Sequence, residues 1–242
     1  MAGGKETPRQ RMIGILYLVL LGLIALSVND SLLDAFKNIT DSLSTSTTNV
    51  NSGVEATFSS FEATKLKDDP IKAKPIYDKA KQASGYARDL ESYINDLKTS
   101  LTEQGGGINE SSGDLEGRAS VDISPRFMIN GGKATDLRKK ITETREKLLG
   151  LLDEKDRKTV KFSLSTIDPP RKGGVSKTWE EANFGDGIPL AAAMTALTKI
   201  QADVKNAESE MVKKILGKMD QAEINIDEFA AVAVAPSSYV IQ

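Results

Sequence analysis

Two arginines stand directly in front of the longest apolar stretch of the chain, and they are the first candidates for a chemical role. Arg9 and Arg11 precede residues 12–28, which read MIGILYLVLLGLIALSV and carry no charge. An ionisable side chain at membrane depth usually needs a partner, so one of the two could pair with a carboxylate on a partner helix. Alternatively, both side chains reach toward lipid headgroups and set the orientation of the helix. The residues alone leave both interpretations open.

The residues around Arg9 predict the start of a helix. Thr7, Pro8 and Gln10 fit a capping box, with Thr7 at the N-cap, Pro8 at the first helical position and Gln10 at the third. This pattern places Arg9 in the first helical turn, where its charge opposes the helix dipole. Arg9 is therefore predicted to lie on a rigid turn rather than in a loose tail.

Polar and small residues inside the apolar stretch are candidates for contacts within a membrane. Tyr17 is the strongly polar side chain well inside the stretch, deeper than an interfacial aromatic normally lies. Gly14, Gly22 and Ala25 offer small surfaces for close helix approach, although they do not form a strict G-x-x-x-G motif. These residues predict a polar contact and a helix-packing surface.

The length and flanks of residues 12–28 predict one transmembrane helix. At ~1.5 Å of rise per residue, the stretch nearly matches the ~30 Å apolar core of a bilayer. The basic residues before it place residues 1–11 in the cytoplasm and residues 29–222 on the opposite side of the membrane. The alternative is a cleaved signal peptide, but the apolar run exceeds the usual ~7–15 residues and a helical pattern continues beyond it.

Composition argues against most enzyme classes. The chain has no cysteine and no histidine, which removes thiol nucleophiles, Cys/His metal sites and the commonest general base. Its formal net charge of -2 gives no electrostatic reason to bind nucleic acid. The Gly131-Gly132-Lys133 triplet lacks the remaining residues of a phosphate-binding loop. We therefore expect no enzyme activity, no cofactor and no metal site, and a packing role for the lone tryptophan, Trp179.

Apolar spacing predicts a mainly α fold, an up-down helical bundle over residues 29–222. Further helices are expected over residues 29–64 and about 135–158, and from Pro189 onward, with Ser- and Thr-rich residues 42–52 weakening the first. Asp69 and Pro70 mark the turn before the second helix. That helix has the clearest seam, which alternates steps of four and three residues and comprises Ile76, Ala80, Ala83, Ala87, Leu90, Ile94, Leu97 and Leu101.

Two inserts and the C-terminal segment break the helical pattern. Residues 105–133 and 160–188 contain Gly- and Ser-rich runs and are predicted to form short strands or ordered loops. Residues 223–242 switch to a strand-like pattern and are expected to be the start of a following β domain that is truncated here.

Three segments carry a resemblance to a known family. They are residues 1–12 (MAGGKETPRQRM), residues 29–36 (NDSLLDAF) and residues 234–240 (VAPSSYV). The chain resembles the GldM/PorM family, the single-span inner-membrane subunits of the type 9 secretion and gliding-motility machinery of Bacteroidetes. The resemblance touches both ends of the chain and agrees with its helical middle.

This resemblance implies a function and partners. It implies a homodimer whose membrane helices lie inside a ring of a small two-span subunit, GldL, which carries an intramembrane glutamate. Proton-motive force would turn the pair, and the periplasmic part would pass this motion toward outer-membrane secretion components. Carried over by position, Arg9 would meet the glutamate and Tyr17 would be the polar group of the helix pair.

Two other functions stay open: a membrane-anchored extracytoplasmic sensor, or a scaffold without energy coupling. A sensor needs a cytoplasmic output domain, and only residues 1–11 precede the predicted span. No Gly/Pro-rich linker follows residue 28, and long helices pass torque where a flexible linker would lose it. The resemblance, with which this continuity of helices agrees, therefore favours a motor subunit over a sensor or a scaffold.

Overall fold

The computed structural model describes residues 7–26 (backbone only for 23–26), 30–160, 162–171, 174 and 176–219. These residues are mainly helical, which confirms the mainly α part of the predicted fold class. In chain order, the helices are α1 (Pro8–Leu26), α2 (Asp30–Ala63), α3 (Lys65–Asp68), α4 (Pro70–Gln104), α5 (Lys133–Gly150), α6 (Glu154–Arg157), α7 (Trp179–Phe184) and α8 (Leu190–Leu216), with a π-helical segment at Pro125–Asn130 between α4 and α5.

Helix α4 forms where its capping residues and apolar seam predict it. The Asp69 side chain accepts a hydrogen bond from the Lys72 backbone N–H, and Pro70 takes the first helical position. The seam turns into the core: Ile76 is partly buried, and the exposed fraction of the other seam residues is at most 3%. The predicted seam is therefore confirmed.

Helix α2 runs unbroken through the Ser- and Thr-rich stretch, so the predicted weakening at residues 42–52 is wrong. The hydroxyls of Thr45, Thr47 and Thr48 donate to the backbone carbonyls one turn earlier, at 3.0, 2.8 and 3.1 Å. These side chains bond to carbonyl oxygens of their own helix instead of drawing the backbone into a turn. Helix α2 thus extends as one element from Asp30 to Ala63.

Helix α8 packs against both α2 and α4 and runs parallel to α2. The Thr40 and Thr195 hydroxyls are 2.9 Å apart. Nearer the C-terminal ends of both helices, Asn51 Oδ1 accepts a hydrogen bond from Lys205 Nζ at 3.0 Å. Residue numbers therefore rise together along the two helices. The predicted up-down order is wrong for α8, because residues 151–189 return the chain to the end of the bundle where α2 begins.

Helix α4 runs antiparallel to α8 and to α5. Toward α8, Lys98 Nζ donates to Thr198 and Lys205 pairs with Glu91, so numbers fall on one helix as they rise on the other. Toward α5, Lys140 and Lys147 lie over the rings of Tyr93 and Tyr86, 4.8 and 5.6 Å from the ring centroids. We call the end where α2, α5 and α8 begin the proximal end.

The third and fourth predicted helices have different limits from those expected. Helix α5 ends at Gly150, before the predicted residue 158. Arg157 Nε donates to the carbonyl of Leu149, in the last turn of α5, and to the carbonyl of Leu152, just after the helix end. Pro189 lies at the N-cap of α8 rather than at its first helical position. Both differences arise at helix ends, where side-chain and loop contacts decide the boundary.

The described parts of the two inserts are irregular. They contain no β-strand, and a single antiparallel bridge joins Ile108 to Leu115. The loop alternative therefore holds there, together with the π-helical segment that sequence spacing did not indicate. Residues 220–242, which include the predicted β start, lie outside the described residues.

A helix long and apolar enough to cross a membrane is not found among the described residues. The predicted span over residues 12–28 includes two positions outside them. The span stays a prediction.

Candidate functional site

The first turn of α1 holds the predicted arginine. Thr7 N donates to Gln10 Oε1 at 3.1 Å, and Gln10 N donates to Thr7 Oγ1 at 3.4 Å. Arg11 N donates to the Thr7 carbonyl at 3.1 Å and closes the turn. The structure therefore brings Thr7, Arg9 and Gln10 together in one hydrogen-bonded turn, on which the Arg9 side chain is exposed.

The apolar side chains that follow Arg9 are also exposed. Between Met12 and Leu21 the exposed fraction ranges from 53% at Val19 to 71% at Met12, and Tyr17 is 65% exposed. An apolar surface of this extent is the mark of a membrane or of a protein partner. The described surface of α1 is thus free to contact a membrane or another protein.

The predicted small residues of α1 lie on open surface. A Cβ atom added at Gly14 or at Gly22 would meet nothing within 4 Å. Ala25 belongs to the helix, but its side chain lies outside the described residues. Tyr17, Gly14 and Gly22 are spread along the helix and do not converge with Arg9 on a single point within this chain.

The proximal end carries a charge cluster that sequence reasoning missed. Arg118 donates from Nη1 to Asp34 at 2.7 Å and to Asp114 at 2.9 Å, and from Nη2 to Asp30 at 3.1 Å. The hydrogen bonds that Arg118 donates to Asp34 and Asp114, and then to Asp30, raise the pKa of Arg118 above its ordinary value. We call Arg118, Asp30, Asp34 and Asp114 the Arg118 cluster.

The backbone beside Arg118 caps α8. The carbonyl of Ser120 accepts from Leu190 N at 2.8 Å, and the carbonyl of Arg118 accepts from Ala191 N at 3.0 Å. These bonds satisfy two of the N–H groups that a helix start leaves open. The loop after α4 is therefore tied to α2 by a side chain and to α8 by its backbone.

A second polar cluster lies halfway along the bundle. Lys205 Nζ contacts Asn51 on α2 at 3.0 Å, Glu91 on α4 at 3.0 Å and Glu208 on α8 at 3.1 Å. Burial acts to lower the pKa of Lys205, but hydrogen bonds and charge from Glu91 and Glu208 outweigh it, so the pKa is raised. The three donors of one ammonium group thus join three helices.

A polar cleft of about 750 Å³ opens over this cluster, between α2 and α4. Glu55, Glu91, Lys205 and Glu208 line it, together with Ser84, whose buried hydroxyl has no hydrogen-bond partner among the described residues. Lys205 is fully engaged in ion pairs and hydrogen bonds, so it is held as a structural cation rather than as a free nucleophile. Within the described ranges, no group of three or more Asp, Glu, His or Cys side chains is placed to hold a metal.

The remaining sequence signals have packing explanations. Trp179 is 8% exposed and meets the Phe184 ring edge-on, with 6.0 Å between ring centroids, which confirms its predicted packing role. A Cβ atom on Gly131 would strike the Phe127 carbonyl oxygen, and Gly132 adopts a φ of 71°. The Gly131-Gly132 pair thus closes the π-helical segment, where only glycine fits both positions.

The comparison with known families agrees with this architecture. The GldM N-terminal domain family matches residues 31–218, from the first turn of α2 to just beyond the end of α8. No curated protein gives a match to the chain. Because the family match covers most of the chain and all the long helices of the bundle, the chain belongs to the GldM family of gliding-motility and type 9 secretion components.

Proposed function

We propose that this chain is a proton-motive-force-driven motor subunit of the type 9 secretion and gliding machinery, one that carries motion from the inner membrane into the periplasm. The observation that supports this most is the first turn of α1, which presents Arg9 on a hydrogen-bonded cap directly before an exposed apolar helix. In this proposal residues 12–28 form the single span, residues 1–11 are cytoplasmic and residues 29–222 are periplasmic.

Arg9 is proposed to pair with a carboxylate of the partner subunit. A cation in the first turn opposes the helix dipole, which costs about 0.3–1 kcal/mol where no anion is near. A glutamate on an adjacent membrane helix would remove that cost and give the arginine its counterion. The partner is a ring of a small two-span inner-membrane subunit, GldL-like, with one such glutamate per copy.

The small and polar residues of α1 are proposed to contact a second copy of the chain. Gly14 and Gly22 leave open surface at which another helix backbone can approach closely. Ala25 extends the small surface by its residue type, and Tyr17 supplies the polar contact. The working unit is then a homodimer within the ring.

The bundle is proposed to act as a rigid coupling element rather than as an enzyme. Helix α8 has 27 residues, which spans about 40 Å at ~1.5 Å per residue. Lys205 joins it to α2 and α4 halfway along its length. Motion that enters at the proximal end would thereby reach the far end of the bundle, and from there the periplasmic and outer-membrane components.

The test is Arg9→Ala in cells that depend on this chain for gliding and secretion, with Arg11→Ala as the matched control. We expect Arg9→Ala to abolish both activities while the protein still inserts and copurifies with its partner. Arg11→Ala should stay active. Normal transport by Arg9→Ala would overturn the carboxylate-pairing role.

Copurification from the membrane separates the motor from the sensor and the scaffold. A two-span partner with an intramembrane glutamate supports the motor, whereas a cytoplasmic signalling partner supports a sensor. Native mass spectrometry of the mildly solubilised complex should count two copies of this chain. A single copy would contradict the homodimer.

A further inference from the structure

One residue at the proximal end, Arg118, contacts both the start of α2 and the start of α8. Arg118 binds Asp30, the first residue of α2, and Asp34, which lies one turn later on the same face. Only residues 27–29 separate α2 from the end of α1. A force that leaves α1 along the chain therefore meets the Arg118 cluster first.

From Arg118 the contacts continue into α8. The Arg118 carbonyl accepts from Ala191 N, and the neighbouring Ser120 carbonyl accepts from Leu190 N. Gly117 packs so tightly on the end of α4 that an added Cβ would lie 2.7 Å from the Gly105 carbonyl oxygen. The loop thus packs on the end of α4, forms ion pairs with α2 and accepts backbone hydrogen bonds from the start of α8.

The exposure of the cluster indicates a positioning role more than a stabilising one. The side chains of Asp30 and Asp34 are 85% and 62% exposed, whereas those of Arg118 and Asp114 are 25% and 13% exposed. The two ion pairs with α2 are thus open to water on the carboxylate side and contribute little to the free energy of folding. A planar guanidinium that grips two carboxylates one helical turn apart does, however, fix the rotation of α2 about its own axis.

The charge balance gives the contact a second property. Three carboxylates surround one guanidinium, so removal of Arg118 leaves Asp30, Asp34 and Asp114 facing one another. Like charges then push the start of α2 away from the loop. The bundle core would stay packed while its connection to α2 at the proximal end loosened.

We propose that Arg118 is the positioning residue that couples the start of α2 to α8, so that motion of the membrane helix enters the bundle through the Arg118 cluster. This inference rests on the proposed motor function. It assigns the coupling to one arginine and to the loop that carries it.

The experiment compares Arg118→Ala with Arg138→Ala in gliding cells. Arg138 is a matched control, because it also bridges two carboxylates, Asp168 and Glu180, and its side chain is 33% exposed. We expect Arg118→Ala to reduce gliding and secretion to the level of cells that lack the protein, with unchanged partner copurification and a thermal midpoint no lower than that of Arg138→Ala. Arg138→Ala should glide normally.

A rescue experiment separates coupling from general structure. The chain has no cysteine, so Asp34→Cys combined with Arg118→Cys gives one addressable pair. We expect this variant to be immobile and to regain gliding when a short bifunctional thiol reagent joins the pair, with the crosslink verified by mass. A verified crosslink without recovery would overturn the proposal, as would normal gliding by Arg118→Ala.

The two proposals fail in different ways. If Arg9→Ala is inactive but Arg118→Ala glides normally, only the coupling role of Arg118 is wrong. If Arg9→Ala also glides normally, the carboxylate-pairing motor proposal itself fails.

Discussion

Lys205 Nζ lies 3.0 Å from Glu91 Oε2, and this contact joins the middle of α8 to α4 across the base of the polar cleft. The same ammonium group reaches Glu208 at 3.1 Å and Asn51 at 3.0 Å. The Lys205 and Glu208 side chains are 9% and 6% exposed. The bundle is thus held at mid-height by a buried charge cluster with contributions from three helices.

Lys205→Ala is expected to lower the free energy of unfolding by about 3–5 kcal/mol, because it leaves the buried Glu208 and the partly buried Glu91 without their counterion. Thermal unfolding of the full chain, followed by circular dichroism, measures the change. Combining Lys205→Met with Glu91→Gln and Glu208→Gln removes all three charges and should recover most of the loss.

Lys199→Ala is the control for this prediction. Lys199 pairs with Asp203 on the same helix, but its side chain is 64% exposed. Such a pair contributes about 0–1 kcal/mol. If Lys205→Ala costs no more than Lys199→Ala, the cluster does not hold the helices together.

The ionisation of Tyr77 makes the stability of the bundle depend on pH in the alkaline range. Burial, followed by its hydrogen bond to Glu62, raises the pKa of Tyr77 from its ordinary 10.0 to about 12. The folded chain then keeps a proton that the unfolded chain releases. The resulting stability is fully present below pH 10.0 and is lost as the pH rises toward about 12.

Tyrosinate absorbance measures this shift directly. The chain has five tyrosines, and burial raises the pKa of Tyr93 as well, so the difference between the wild type and Tyr77→Phe isolates the Tyr77 signal. Glu62→Gln should move that signal to lower pH, since it removes the carboxylate that disfavours the phenolate. A difference signal centred at the ordinary tyrosine pKa would refute the prediction.

Local signals predicted the helices better than they predicted the arrangement of the helices. The α4 seam could be predicted because its 4-3 spacing and the Asp69–Pro70 start agree with each other. Periodicity specifies which face is buried but not which way a helix runs. The parallel course of α8 therefore required the contacts of Thr195 and Lys205 with α2.

The two charge clusters were beyond sequence reasoning for a similar reason. Asp34 and Arg118 are 84 positions apart, and Asn51 and Lys205 are 154 apart. In the sequence, each is one charged or polar residue among many, on a predicted helix face or, for Arg118, in the first insert. Only the tertiary fold shows that Lys205 is buried and that Arg118 sits between an acidic helix start and the cap of α8.

The second insert contains a capping box next to the only tryptophan. Thr178 Oγ1 accepts from Glu181 N at 3.2 Å, and Thr178 N donates to Glu181 Oε2 at 2.9 Å. Thr178→Ala is expected to cost about 1 kcal/mol in the stability of α7. Because α7 has six residues, the loss should be local.

Trp179 fluorescence detects that local loss. In a urea titration, the fluorescence transition of Thr178→Ala should occur at lower urea than the circular dichroism transition, whereas the two coincide in the wild type. Thr142→Ala is the matched control, since the exposed Thr142 hydroxyl donates only to the Arg138 carbonyl within α5. Coincident transitions in Thr178→Ala would show that α7 unfolds with the whole bundle.

Alanine substitution is expected to have opposite effects at two glycines, Gly117 beside α4 and Gly85 within it. A Cβ at Gly117 would lie 2.7 Å from the Gly105 carbonyl oxygen, and this backbone atom cannot move aside without lifting the loop from α4. Gly117→Ala should therefore destabilise the chain by about 1–3 kcal/mol. A Cβ at Gly85, inside α4, would meet nothing within 4 Å, so Gly85→Ala should stabilise the chain by about 0.5–1 kcal/mol. Thermal midpoints of both variants test the pair, and a stabilising Gly117→Ala would mean that the loop carrying Arg118 is not seated on α4.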